Sequence, residues 1–191
     1  MKETIRLYAL QQAPVPELLE RDGVVFSKPE YVSRKYGESA QVFLNNYSWF
    51  VNEARKIVPP PEGAEYPYWA FRDLYNIDSA DASAEDGFMT LDVPLDMAVF
   101  FDAADWNRIM QFRYLGTDEE ERAFNKELQA YGVTAFKAMT TQYYPDIRMK
   151  ITDSWKRLFV HDEEVRAGDY SGCPGGVQAG LWCIRREWLS K

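Results

Sequence analysis

Three features of the chain predict an α+β domain with a mixed or antiparallel sheet. Strand patterns lie near both ends and in the middle, helical patterns fall between them, and no regular strand–helix alternation of the kind that builds a parallel sheet runs through the 191 residues. That length suffices for one hydrophobic core, so residues 1–191 are expected to form a single domain.

The first strand is Ile5-Arg6-Leu7-Tyr8-Ala9-Leu10, which alternates and runs into the polar turn Gln11-Gln12-Ala13-Pro14. Pro16 starts a short helix through Glu17-Leu18-Leu19-Glu20, closed by Asp22-Gly23. Val24-Val25-Phe26 is too short to classify, and Ser27 is the N-cap candidate of a second short helix at Lys28-Pro29-Glu30. The strongest helical pattern covers residues 38–58, where Phe43, Tyr47, Phe50, Ala54 and Ile57 recur three and four apart and Leu44, Val51 and Val58 widen the stripe. Pro59-Pro60-Pro61 ends it by removing backbone donors.

After the turn Glu62-Gly63, the segment Tyr66-Pro67-Tyr68-Trp69-Ala70-Phe71 reads as an aromatic strand, and residues 76–86 as a polar loop. Gly87 to Val93 places Met89, Leu91 and Val93 on one face, Pro94 interrupts, and Met97-Ala98-Val99-Phe100-Phe101 is apolar throughout, as in a strand buried on both faces. Asp102 and Asp105 open a helix carrying Trp106, Ile109 and Met110 that stops at Gly116; Thr117 and Glu120 open the next, with Phe124, Leu128 and Tyr131 on one face, and Gly132 ends it. A last helix carries Ile151, Trp155, Leu158 and Phe159. Beyond a glycine-rich stretch from Gly168 to Gly176, Val177, Ala179, Leu181 and Cys183 share a face of the closing strand, with Gln178, Trp182 and Ile184 on or near the other.

The composition is globular, 46% hydrophobic and 27% charged. The opening Met1-Lys2-Glu3-Thr4-Ile5-Arg6 has no apolar leader and no later run is long enough for a membrane span, so a cytoplasmic protein is expected. A net charge of −8 disfavours duplex nucleic acid, and the densest basic stretch, Arg148, Lys150, Lys156 and Arg157, is diluted by Asp146 and Asp153. Cys173 and Cys183 fit neither a disulfide framework nor a paired zinc pattern and read as reduced apolar residues; no metal is expected.

Several segments together resemble a known family. They are Leu7-Tyr8-Ala9-Leu10-Gln11, Tyr47-Ser48-Trp49, Pro61-Glu62-Gly63 leading into Tyr66–Phe71, Val99-Phe100-Phe101-Asp102 leading to Trp106, Asp153-Ser154-Trp155-Lys156-Arg157-Leu158-Phe159, and Val177-Gln178-Ala179-Gly180-Leu181-Trp182. In this order, across nearly the whole chain, they resemble the bacterial domain-of-unknown-function family 3841. The resemblance implies a shared fold and a bacterial, cytosolic setting, and no activity.

Candidate chemistry is limited by a single histidine, His161, whose neighbours Asp162, Glu163 and Glu164 could orient it as a base, with Ser154 the nearest upstream nucleophile. No Gly-x-Ser-x-Gly turn presents that serine, and a histidine at a helix end is commonly a cap. The run Asp118-Glu119-Glu120-Glu121 is better explained by a helix N-terminus than by a cation, and the glycine-rich Ser171–Gly176 lacks the Lys-Ser/Thr ending of a phosphate loop.

The aromatic strand is different. Strand alternation sends one set of its rings outward, where they can stack on a base, a nicotinamide or a sugar, and Arg72, on the alternation of Tyr66 and Tyr68, can pair with a phosphate. The order of an early strand, a central aromatic strand and a late strand with Gln178 is loosely similar to the ADP-ribosyltransferase fold, which implies Arg6 or Gln11, Tyr68 and Gln178 around NAD. The expected ligand set is therefore Arg6, Gln11, Tyr66, Tyr68, Arg72 and Gln178, holding a nucleotide or NAD-type molecule. The alternative is a non-catalytic protein-interaction module using exposed aromatic residues.

Overall fold

In a computed structural model, residues 3–28, 30, 37, 40–77 and 87–190 are described, without the side chains of residues 40–42. The strands are β1 (Thr4–Gln11), β2 (Val24–Val25), β3 (Tyr68–Phe71), β4 (Gly87–Pro94), β5 (Ala98–Asp102), β6 (Val177–Leu181) and β7 (Ile184–Arg185). The helices are α1 (Val15–Asp22), α2 (Ala40–Ala54), α3 (Ala103–Met110), α4 (Asp118–Tyr131), α5 (Ala135–Thr140), α6 (Pro145–Ser154) and α7 (Asp162–Arg166). This is the α+β architecture expected.

Five strands form one sheet in the order β4-β1-β3-β6-β5, every pair antiparallel, and β2 pairs with β7 in a second, two-stranded sheet. Cross-strand partners share a face. Registers Tyr68↔Leu181, Ala70↔Ala179 and Leu7↔Leu91 therefore gather one face, and Trp69↔Gly180, Phe101↔Gln178 and Arg6↔Asp92 the other.

The sheet is curled. Only Leu95–Met97 join the end of β4, one edge, to the start of β5, the opposite edge. Four flat inter-strand gaps would separate those edges by about 19 Å, whereas the chain from Pro94 to Ala98 spans at most about 14 Å. The face turned inward by the curl holds Leu7, Ala70, Leu91, Phe100, Ala179 and Leu181, all fully buried, with Leu19 of α1 and Val165 of α7 beneath them.

The outer face is covered on β3, β6 and β5 by helices. Phe50 of α2 contacts Trp69, Phe101 and Trp106 at ring distances of 4.9, 5.3 and 5.3 Å, and Trp69 Nε1 donates to the Tyr47 hydroxyl at 2.9 Å. Gly180 is required here, because a Cβ on it would lie 2.8 Å from Phe50 Cζ. Asn46 of α2 donates to the Ile109 carbonyl at the end of α3, which also accepts the Phe112 amide in the turn that follows the helix. On β1 and β4 the same outer face carries Arg6, Tyr8, Phe88, Thr90 and Asp92, none of them fully buried.

Several details differ from the sequence reading for physical reasons. The aromatic strand begins at Tyr68, while Tyr66 meets Ser27 in an isolated bridge; Ser27 thus takes part in an extended pairing, and the rest of its expected helix falls mostly outside the described residues. Helix α2 ends at Ala54, before the prolines, and Ile57 is exposed; the expected start at residue 38 and most of the 76–86 loop lie outside the described residues. Tyr131, in the last turn of α4, is exposed, while Phe124 and Leu128 of the same expected face are buried. The closing strand breaks after Leu181, and Ile184–Arg185 leave to pair with β2, which gives Val24–Val25 a partner no local pattern reveals.

Candidate functional site

The sheet positions the six expected ligand residues, and does not bring them together. Tyr68 lies on the inner face, 6% exposed, and Gln178 on the outer face, 4% exposed. Gln11 ends β1 opposite Gly87, on the inner-face parity with Leu7 and Ala9. Tyr66 is half-buried against the helical core, its hydroxyl 3.4 Å from Ser48 Oγ. The surplus rings of the aromatic strand are thus largely packed, Trp69 within a ring cluster and Tyr68 under the curl. Arg6 and Arg72 alone of the six line one cleft, of about 610 Å³, with Tyr8 and Tyr170.

The cleft exists because β3 is short. It pairs with β1 only at Tyr8↔Phe71, after which Arg72 turns its amide to the Val177 carbonyl at 2.9 Å and the chain leaves the sheet. The first half of β1 then faces the turn after α7 across a gap walled by Thr4, Arg6, Arg72, Asp73, Gly168 and Tyr170.

Its cations are not equivalent. The Arg72 guanidinium lies 3.9 Å over the Tyr170 ring and meets Asp73 Oδ1 through Nη1 at 2.8 Å. Arg6 donates from Nε and Nη2 to the two Asp92 oxygens at 3.0 and 3.1 Å, and this pairing holds the Asp92 carboxyl below the usual carboxylate range. Both pairs are partly solvated, so a ligand anion can compete for either guanidinium at modest cost. Arg166 is committed to structure: it binds the Asp162 carboxylate and donates to the carbonyls of Leu95 and Ala98.

The remaining candidates resolve into structural roles. His161 precedes α7, its Nδ1 2.5 Å from Glu164 Oε2 and its ring against Gly172, where a Cβ would clash at 2.3 Å. Ser154 is buried, donating to Ile151 O and accepting from Leu115 N. Asp102 caps α3 through the amides of Ala104 and Asp105 and also accepts from Gly175. Asp105 is pushed up by burial and by neighbouring Asp102. Glu120 closes a capping box with Thr117 and binds Arg157, Glu121 contacts Arg108, and the basic residues Lys150 and Lys156 pair with Glu127 and Asp153. Burial pushes the Cys173 thiol up to about 11 and that of Cys183 up as well.

Sequence reasoning missed Tyr8, Thr4 and Tyr170 as cleft residues. Only the early end of β3 creates the gap, and nothing local to Arg72 marks that end. Among the described residues no group of three or more His, Cys, Asp or Glu side chains is arranged to hold a metal ion, and no helix is long and apolar enough to cross a membrane.

A family model described as Domain of unknown function (DUF3841) matches residues 6–190. No curated protein and no solved structure matches the chain.

Proposed function

The chain belongs to the family described as Domain of unknown function (DUF3841), a membership that assigns no chemistry, and we propose that it is a binding domain for a small phosphorylated, ring-bearing molecule of the nucleotide or NAD type. The observation that carries this reading is the Arg72–Tyr170 stack beside Arg6 in a single cleft. A guanidinium already held flat on an aromatic ring loses little further freedom when it forks to a phosphate. Tyr8, stacked at 6.0 Å on Phe88, offers a second ring surface at the same cleft. A volume of about 610 Å³ lies within the range of small-molecule sites.

The contact set differs from the one that the ADP-ribosyltransferase likeness implies. Tyr68 and Gln178 lie on opposite faces of one sheet, so they drop out of the reading and Arg6, Tyr8, Arg72 and Tyr170 replace them.

Titration calorimetry with NAD, ADP-ribose, AMP and ribose 5-phosphate tests it. At least one of these is expected to bind at micromolar level, with Arg72→Ala weakening it tenfold or more while the melting temperature of the free protein stays within a few degrees. Absence of binding by all four, or equal binding by the Arg72 variant, would refute the reading.

A further inference from the structure

The cleft has a second property, which lies in its backbone. Glu3 accepts from the Leu95 amide on the β4 side, so odd-numbered residues of β1 turn their N–H and C=O groups toward β4. Even-numbered residues turn theirs the other way. Tyr8 spends its pair on Phe71, but Thr4 and Arg6 face the cleft, and among the described residues no strand lies opposite them. Two donor–acceptor pairs therefore stand two residues apart along a strand edge, in the line that β3 would occupy if it ran further.

We infer that this slot accepts an extended segment of a partner protein as an added antiparallel strand, with acidic side chains alternating with apolar ones. This goes beyond the small-ligand reading and rests first on the backbone of Thr4 and Arg6 at the same cleft. A ring-sized molecule spans one of the two pairs, whereas an extended chain repeats at the spacing of Thr4 and Arg6 and engages both. Both neighbours of β1 run antiparallel to it, and a third follows the same twist.

The walls set the side-chain pattern. Residues of the added strand directly opposite Thr4 and Arg6 share their face, where Arg6 and Tyr8 project, which favours Asp or Glu opposite Arg6. The intervening residues turn toward Ile5, Leu95 and Val165, which favours Val or Ile. Arg72 and Arg166 are matched by Asp73 and Asp162, whereas Arg6, more than half exposed beside Asp92, can share its guanidinium with a carboxylate on the added strand.

The geometry fixes which amides of the guest matter. In an antiparallel pair, the residues opposite Thr4 and Arg6 exchange both hydrogen bonds with them, so the acidic residues' own amides point at β1 and the apolar residues' amides point away. The probe is the labelled peptide acetyl-Glu-Val-Glu-Val-Glu-amide, in three forms: unmodified, N-methylated on the glutamates, and N-methylated on the valines. Fluorescence anisotropy gives affinity, and NMR hydrogen exchange follows the Thr4 and Arg6 amides of the intact protein. The expected result is binding by the unmodified and valine-methylated forms, a loss of at least tenfold in the glutamate-methylated form, and slowed exchange at Thr4 and Arg6. The inference is overturned if the unmodified peptide fails to bind at millimolar concentration, if methylation at glutamate costs no more than at valine, or if the two amides exchange unchanged in the complex.

Discussion

Asp162, buried, and Arg166, part-buried, form a clasp across the closure of the curled sheet. The Asp162 carboxylate takes the Phe100 amide of β5 at 2.7 Å and the Arg166 guanidinium at 2.6 Å, while Arg166 reaches the carbonyls of Leu95, which opens the short bridge from β4, and Ala98, the first residue of β5. One side chain of α7 thus ties together both edges of the five-stranded sheet.

Removing Arg166 should leave the buried Asp162 carboxylate without its counter-charge, and removing Asp162 should leave a part-buried guanidinium held by carbonyls alone. Arg166→Ala and Asp162→Ala are each expected to lower unfolding free energy by about 3–5 kcal/mol. Urea denaturation followed by tryptophan fluorescence measures this, and a loss below 1 kcal/mol in both would show that the clasp does not hold the closure.

At Gly180 the sheet meets Phe50 with no room for a side chain. Gly180→Ala should cost about 1–3 kcal/mol by overpacking, and Phe50→Leu should recover part of that in the double variant. Strict additivity of the two changes in a double-mutant cycle would contradict the contact.

Glu120 gives a pH signature. Hydrogen bonds from Arg157 and from the Thr117 amide lower its carboxyl from 4.5 to about 2. A depressed carboxyl contributes stability above its unfolded pKa and loses it as pH falls toward the folded one, so the contribution fades between about pH 4.5 and 2. Glu120→Gln retains the capping geometry, and the difference in melting temperature between wild type and this variant should be constant above pH 5 and vanish toward pH 2. A difference that persists at pH 2 would rule out the charge as its source.

Both thiols should be inert in the folded protein, since burial raises them and leaves little thiolate at neutral pH. Iodoacetamide at pH 8 is expected to label neither Cys173 nor Cys183 until guanidinium chloride is added, as intact-mass spectrometry would record. Rapid labelling of Cys173 without denaturant would reverse this assignment.

Much of the fold was legible because its signals are local. Alternation marked β1 and β4, the three-and-four spacing of Tyr47, Phe50 and Ala54 marked α2, and Thr117 with Glu120 marked the start of α4. What was not legible depends on distant partners. β2 is two residues long and exists only through β7, and α5, with its six residues, is held by packing on α6. The candidate site was half legible for the same reason. Arg6 and Arg72 carry a chemistry that can be read off residue types, but Tyr8 and Tyr170 join them only because β3 stops at Phe71. The aromatic strand misled because its amphipathic rings suit an interior that supplies polar partners as well as they suit a ligand, and Tyr47 supplies one to Trp69.

The position of β6 bears on how the molecule assembles as it is synthesised. Residues 177–181 are the latest part of the large sheet to leave the ribosome, yet they sit between β3 and β5, which touch each other nowhere in the strand order. Until that late segment arrives, β5 has no strand to pair with, although residues 40–54 and 103–110, which cover its outer face, are already made. Throughout the synthesis of residues 103–176, which separate Asp102 from Val177, the nascent chain therefore carries a half-built sheet, and strand order makes closure of that sheet a late step.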